Sequence, residues 1–310
     1  MKISVVLSSY NGEKYIEEQL NSLYFQILKP DEILIIDDCS TDNTVNIIEN
    51  FIKKNNLDNW ILIKNDKNLG WKKNFIEGFK KATGNLIFPC DQDDIWHRDK
   101  IQKMTQIMMQ RKEILLLVSN YTPLYEKNAI KISKNKLKSF TNTEKVNNVE
   151  FNEKFMHVMR PGCVFAFKKE LLDYIFQINS GKFAHDAILW RVASLLDGLY
   201  IYDYSTIDFR RHNNNASDKR VNNIDKRLHL ISDNFIPITE KLIKFVEVND
   251  IENRDKKLKV LNSYLDMYKK EEMLFKKKNI LLWFKLIPLY KYFYSKKSML
   301  RDLNIIFKGK

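Results

Sequence analysis

Leu86-Ile87-Phe88-Pro89-Cys90-Asp91-Gln92-Asp93-Asp94 sets a short apolar run directly against three carboxylates. Residues 86–88 are too few for a helix and have the Leu, Ile and Phe content of a buried strand. The same grammar recurs upstream. Residues 3–7 lead into Ser8-Ser9-Tyr10-Asn11-Gly12, residues 32–36 into Asp37-Asp38-Cys39-Ser40, and residues 60–63 toward Asn65-Asp66 and Asn68-Leu69-Gly70. Between them, segments 13–26, 41–54 and 71–81 have helix length. In the first, Ile16, Leu20, Leu23 and Ile27 recur at i, i+4, i+7 and i+11 on one face. This alternation predicts an α/β fold with a mostly parallel, doubly wound sheet flanked by helices. Ligands of such sheets bind beyond the carboxyl ends of the strands, and that is where the polar and acidic residues gather.

The chain has 310 residues, 44% hydrophobic and 29% charged, the composition of a globular protein with a sizeable core. Its net charge of +13 is unevenly placed: residues 226–310 hold 20 Lys/Arg against 10 Asp/Glu and so supply +10. A local basic tail fits an anionic surface such as lipid better than nucleic acid, because acidic strand-end loops would repel a phosphate backbone in the absence of a metal. Cys39, Cys90 and Cys163 form no CxxC pair, which argues against a disulfide framework or a zinc site and fits a reducing cytoplasm. The N-terminal residues lack the apolar core and cleavage site of a signal peptide. The longest apolar window, 280–293, contains Lys285 and is too short to span a bilayer.

Asp91 and Asp93, at the end of an extended segment, would project to the same side of the chain. Two carboxylates so placed suit a hard divalent cation, Mg2+ or Mn2+, shared with substrate phosphates. Asp94 and Asp99 can equally cap the following helix. Asp38, Ser40, Asp42, Thr44 and Glu49 match a calcium-loop spacing, but Asn43 stands where the turn glycine belongs and a strand precedes it. Asp38 remains an acid free to accept from a base N–H, since Ser40 or Thr41 can cap the next helix. His185-Asp186 opens a helix, where an acid is normally a cap. Arg210-Arg211-His212 after a strand fits either a carboxylate or a pyrophosphate, because Arg binds phosphate bidentately and His can ligate metal.

In this order, Val5-Val6-Leu7-Ser8-Ser9-Tyr10-Asn11-Gly12, Ile35-Ile36-Asp37-Asp38-Cys39-Ser40-Thr41-Asp42, Asn68-Leu69-Gly70 and Asp91-Gln92-Asp93-Asp94-Ile95-Trp96 resemble the family 2 glycosyltransferases of GT-A fold. The D-Q-D-D-x-W form, His185-Asp186 and Arg211-His212-Asn213-Asn214 resemble the rhamnosyltransferase-type branch. That branch usually has Gln at the position of Arg211 and Gly at that of Asn213, and many other members have Glu where His185 stands. The resemblance implies a metal-dependent, inverting transfer of a sugar from a nucleotide-diphosphate donor to an acceptor hydroxyl on a glycan or lipid-linked saccharide. Tyr10 and Asp38 would contact the nucleobase and Lys73 would lie near the nucleotide, with Ser8, Asn11, Glu13, Gly70 and Arg211 completing the donor site. Asp91 would face the ribose or the metal, Asp93 would bind the metal, and His212 would meet the metal or the diphosphate. Asp186 stands where the family places its general base. The implied donor is dTDP-rhamnose, with a UDP-hexose or UDP-N-acetylhexosamine as the alternative.

The expected organisation is a catalytic domain over residues 1–215, carrying a loosely structured insertion at 122–160 and a strand at 163–167. A basic helical extension follows over 216–310. In that extension, 276–310 combines Trp, Phe and Tyr with bordering lysines, which suits either a helix lying on a membrane or one packed on protein. The expected setting is the cytoplasm, with the membrane version peripheral on the inner face of the cell membrane.

Overall fold

A computed structural model describes residues 1–179, 181–212 and 223–308. The first half alternates as its pattern requires: β1 (Ile3–Ser9), α1 (Ile16–Tyr24), β2 (Glu32–Asp37), α2 (Thr44–Lys54), β3 (Trp60–Lys64), α3 (Trp71–Lys81) and β4 (Leu86–Asp91). After these come β5 (Ile95–Trp96), α4 (Lys100–Gln110), β6 (Leu116–Tyr125), α5 (Lys134–Leu137), β7 (Val146–Asn148), β8 (Phe165–Lys168), α6 (Leu171–Ile178), α7 (His185–Leu195) and β9 (Leu199–Arg211). The strands form one sheet in the order β3-β2-β1-β4-β8-β6-β9-β5, with β7 paired to β9. β1 to β4 are mutually parallel, whereas β8 runs antiparallel to both β4 and β6. Val5, Leu7, Ile33, Ile35, Leu86 and Phe88 are all buried, because a parallel sheet covered by helices has no solvent face. The chain winds outward from β1 to β3 and then returns to place β4 on the other side of β1. The loops leaving β1 and β4 therefore diverge, and a crevice opens at their carboxyl ends.

Several expectations are corrected by tertiary contacts. α1 begins at Ile16 and α2 at Thr44, three residues later than the pattern suggested, because the backbone N–H groups of the preceding residues are used between loops instead of within helices. Ile27 lies beyond the end of α1 and is exposed, its N–H donating to the Arg98 carbonyl. Residues 162–164 form a 3-10 turn, and the strand starts at Phe165. The segment at 122–160 is pinned: Asp203 on β9 accepts from the hydroxyl and N–H groups of Thr141 and Thr143 and from Asn120. Burial opposes ionisation of Asp203, but these hydrogen bonds outweigh it and hold its carboxyl below the usual range.

Contacts divide the chain into two compact units. The first comprises Met1–Val149, Met159–Ala193 and the chain from Gly198 into β9. The second takes in Glu150–Val158, Ser194–Asp197 and, among the described residues, 223–308. The domain boundary expected near residue 215 lies outside the described residues. The second unit is helical: α8 (Ile224–Leu230) runs through a π-turn into α9 (Ile236–Val248), which packs on α10 (Arg254–Lys277); α11 (Leu281–Phe284) and α12 (Lys296–Lys308) follow. Its interior holds Arg227 between Glu271 and Asp302, and burial together with the second carboxylate pushes Glu271 up to about 8. No helix among the described residues is long and apolar enough to cross a membrane.

Candidate active site

Two loops close one side of the crevice by clasping one another. Asn11, in left-handed conformation at φ 46°, donates its N–H to Ser40 Oγ at 2.9 Å and accepts from the Thr41 N–H at 2.8 Å. Glu13 donates to Asp42 and accepts from the Asn43 N–H at 3.0 Å. Asp38 is buried, and its two oxygens accept from Leu69 N at 2.7 Å, Gly70 N at 2.8 Å and Asn65 Nδ2 at 2.9 Å. Its carboxylate therefore forms the Asn68-Leu69-Gly70 turn, with Gly70 at φ 79° where a side chain would be strained. Asn65 also donates to Asn74, and Asn74 donates to Ser8 Oγ at 2.7 Å and to the Ile36 carbonyl. One network thus ties Ser8, Asp38 and Gly70 together from three strands and a helix. Tyr10 is 45% exposed at the rim, its backbone held by both ends of the Gln92 side chain at 2.8 and 3.0 Å. Lys73 is exposed, with its stem beside Gly181.

The other side of the crevice is crowded with acids. β4 ends at Asp91, in register with Ser8, and the chain turns at Gln92 and Asp93 instead of staying extended. The strand-alternation argument for pairing Asp91 with Asp93 is corrected accordingly: carboxylate oxygens of Asp91 and Asp94 and the Cys163 sulfur lie within 4.8 Å of one another. Asp94 is no helix cap. It is buried, accepts from Arg210 N at 2.9 Å through Oδ1, and has the Cys163 thiol as a weak second donor. Asp93 meets His212, whose Nε2 lies 2.7 Å from Asp93 Oδ2 and whose ring stacks on Tyr15 at 5.0 Å. Arg210 donates to the Asp93 carbonyl and to Glu18, whereas Arg211 is buried at the end of β9 with its guanidinium 5.5 Å from the Phe209 ring. Burial, then the charges of Asp93 and Asp186, push Asp91 up to about 7; burial, then the charges of Asp93 and Asp91, raise Asp94 well above its usual value.

Asp186 belongs to this group electrostatically and by packing. It lies half-buried in the first turn of α7, and a Cβ added at Gly162 would come within 3.2 Å of its Cβ. His185 beside it is buried against Phe75, ring centroids 4.0 Å apart, with neither ring nitrogen hydrogen-bonded. Burial holds its imidazole down at about 4, so it is an uncharged aromatic plate near neutral pH. Beneath the acids lies Lys100, fully buried, its ammonium 3.9 Å over the Trp96 ring and donating to the Cys163 carbonyl. Burial lowers it to about 8 against the pull of nearby thiols and acids. Gln92, Asn74, Asp94, Arg210 and Lys100 were absent from the residues selected by sequence. Gln92, Asp94 and Arg210 stood within the motifs, whereas Asn74 and Lys100 carried no signal.

The donor set fits a divalent cation. Asp91 and Asp94 offer hard oxygen donors within 4.8 Å of one another, and Asp94 is buried with only the Arg210 N–H and the weakly donating Cys163 thiol as partners. The Cys163 thiol is pushed up by burial and is a poor ligand for Mg2+ or Mn2+.

The sequence model of the family described as Glycosyl transferase family 2 matches residues 4–176, more than half of the chain. The chain is a family 2 glycosyltransferase. The dTDP-rhamnosyl transferase RfbG of Shigella flexneri is 34% identical to it over 221 residues, covering 67% of this chain and 72% of RfbG. An uncharacterized glycosyltransferase from Nostoc is 28% identical over 202 residues, covering 65% of this chain and 59% of its own length. Among solved structures, Staphylococcus aureus TarS 1–349 in complex with UDP-GlcNAc matches this glycosyltransferase with a TM-score of 0.63 at 19% identity, over 100% of this chain and 84% of TarS 1–349. The mannosyltransferase PcManGT from Pyrobaculum calidifontis, in complex with GDP-Man and Mn2+, matches with a TM-score of 0.56 at 15% identity, over 99% of this chain and 86% of its own. At such identities the likeness speaks for the fold, which is of the GT-A type that the motifs implied.

Proposed function

We propose that this glycosyltransferase moves a sugar from a nucleotide-diphosphate donor to a glycan or lipid-linked acceptor by a single inverting displacement, in cell-surface polysaccharide synthesis. The observation that carries it is the gathering of Asp91, Asp94 and Cys163 within 4.8 Å of one another, with Asp186 packed against Gly162, the residue before Cys163. Asp186, as carboxylate, takes the proton of the acceptor hydroxyl while that oxygen bonds to the anomeric carbon and the bond to the diphosphate breaks. Gly162 lets His185 and Asp186 pack close against its backbone, since an added Cβ would fall 2.4 Å from His185 Nε2 and 3.2 Å from Asp186 Cβ. Arg210 and His212 border Asp93 as cationic or hydrogen-bonding partners for the departing diphosphate. Asp91, Asp93 and Asp94, with His212, would hold Mg2+ or Mn2+, which when bound supplies Lewis-acid neutralisation of the diphosphate. Tyr10 stands at the nucleobase end as an exposed ring, and Ser8, Asn11, Glu13, Asp38, Gly70, Lys73 and Arg211 shape or support the donor site.

dTDP-rhamnose is the donor favoured by the similarity to RfbG and by the His185-Asp186 pair. A UDP-N-acetylhexosamine is the alternative, favoured by the likeness to TarS. The three free cysteines support a reducing, cytoplasmic setting. Thermal shift with dTDP-rhamnose, UDP-GlcNAc and GDP-mannose, each with and without Mn2+, identifies the donor by which one stabilises the protein. Asp186→Asn is expected to bind that donor as the native protein does while turning over ~10²–10⁴-fold more slowly. Unchanged turnover would remove Asp186 from the mechanism.

A further inference from the structure

In the second unit, residues 281–294 turn one set of side chains inward and another outward. Leu286, Tyr292 and Phe293 are buried, and the segment is fastened by His157 Nε2 to the Tyr292 carbonyl at 2.8 Å and by Trp283 Nε1 to the Met299 carbonyl at 3.3 Å. Outward stand Leu281, Phe284, Ile287, Tyr290 and Tyr294, each between 44% and 67% exposed. The first four recur every three residues across α11 and the 3-10 turn Ile287–Tyr292. Three-residue spacing in tight helical turns keeps side chains on one side, here as an apolar ridge on the order of 15 Å long.

Charge around the ridge is predominantly positive, with Lys291 paired to Glu153 and Lys276 to Glu272, each at 2.9 Å. Residues 273–301 contain eight Lys/Arg and no Asp or Glu. The lysines at 276–278, 285, 291, 296 and 297 are all exposed. A protein partner would be matched by mixed charge, and a second copy of this chain would bring a second basic surface against the first. We infer that this ridge is a docking surface for an anionic phospholipid bilayer: the apolar and aromatic side chains enter the headgroup boundary while the lysines meet lipid phosphates. The segment lies on the membrane without crossing it, and the inference stands whether or not the sugar chemistry is read correctly.

Flotation of the full-length protein with vesicles tests it, comparing phosphatidylcholine alone with phosphatidylcholine mixed with phosphatidylglycerol. The native protein floats with the mixed vesicles and not with the neutral ones, and added salt reduces the floating fraction. Phe284→Ser with Tyr290→Ser weakens partition by about tenfold or more. Lys296→Glu with Lys297→Glu weakens it by at least as much, since each lysine near an anionic surface is worth about fivefold. Both pairs are exposed, so circular dichroism and donor hydrolysis in solution stay at native values. Failure of the native protein to float, or equal flotation of the Phe284/Tyr290 variant, overturns the inference. So does light scattering that shows a dimer broken by the same variant without any vesicle binding, which would assign the ridge to a second copy.

Discussion

Two groups of acids end β2 and β4, the strands on either side of β1, and are treated in opposite ways. After β2, Asp37 accepts from Ser9 Oγ, Ser40 N and Ser40 Oγ, and Asp38 accepts from Leu69 N, Gly70 N and Asn65 Nδ2. After β4, Asp94 accepts from one backbone N–H and weakly from the Cys163 thiol, and Asp91 shares its surroundings with Asp93 and Asp186. Donors are supplied where the carboxylate builds the loop. After β4 they are fewer, His212 at Asp93 and the Cys163 thiol and one backbone N–H at the others, and the carboxylates face one another. A buried acid with its hydrogen bonds complete is architecture, and one facing other acids is a site held at some cost in stability.

That contrast can be broken at either end. The largest effect is expected at the crowded end: Asp93→Asn should lower turnover by about 10²–10³-fold, because charge neutralisation of the diphosphate is worth several kcal/mol. Its melting temperature in EDTA should hold or rise, since one repelling charge is gone. A clear loss of stability there would show that Asp93 is as architectural as Asp38. At the satisfied end, Asp38→Ala strands the Leu69 and Gly70 N–H groups and should destabilise the protein by roughly 1–3 kcal/mol in denaturant unfolding. An unchanged midpoint would mean that the 68–70 turn does not depend on it.

Acidity sharpens the contrast next. Asp91 sits at about 7 in the fold against about 3.9 for an unfolded chain. A raised carboxyl contributes stability that is fully present below about pH 4 and lost as pH rises through 7. Because Asp91 keeps an edge in solvent, that loss should be on the order of 1 kcal/mol. Melting curves in EDTA should therefore fall from pH 5 to pH 8, and Mn2+ should restore stability most at the higher pH, where its ligands are already deprotonated. A flat profile in EDTA would dissolve the distinction between the two acid groups. The smallest effect is expected where the two sides touch: Gln92→Ala removes the clasp on the Tyr10 backbone, worth ~1 kcal/mol. It should raise the donor KM several-fold with little change in kcat.

Much of this was legible one residue at a time. The strands declared themselves because parallel strands buried on both faces must be apolar throughout, and the acids after β2 and β4 stood out against that background. Helix starts were read too early at 13 and 41, where Ser40 or Thr41 looked like the cap of the second helix. Asn11, Glu13 and Ser40 bond to the neighbouring loop, and Asp42 bonds both to Glu13 and to Thr44 of its own helix. Asn74 and Lys100 gave no signal, since an Asn and a Lys on amphipathic helices are ordinarily solvated. Both are completely buried by the strands they serve. The exposed ridge at 281–290 was visible as an aromatic, lysine-bordered stretch, but its inward and outward residues could not be separated while its helical period was unknown.

The sequence by itself determined which strands are buried, the side of the sheet on which chemistry collects, and the kind of atoms that collect there. Those follow from composition and period, which act over a few neighbouring residues. Only the tertiary structure decided which acids are spent on hydrogen bonds and which are left facing one another. That outcome depends on donors contributed by strands and loops far apart in the chain: Arg210 to Asp94 and Leu69 to Asp38. A carboxylate reads the same in sequence either way; its partners decide what it does.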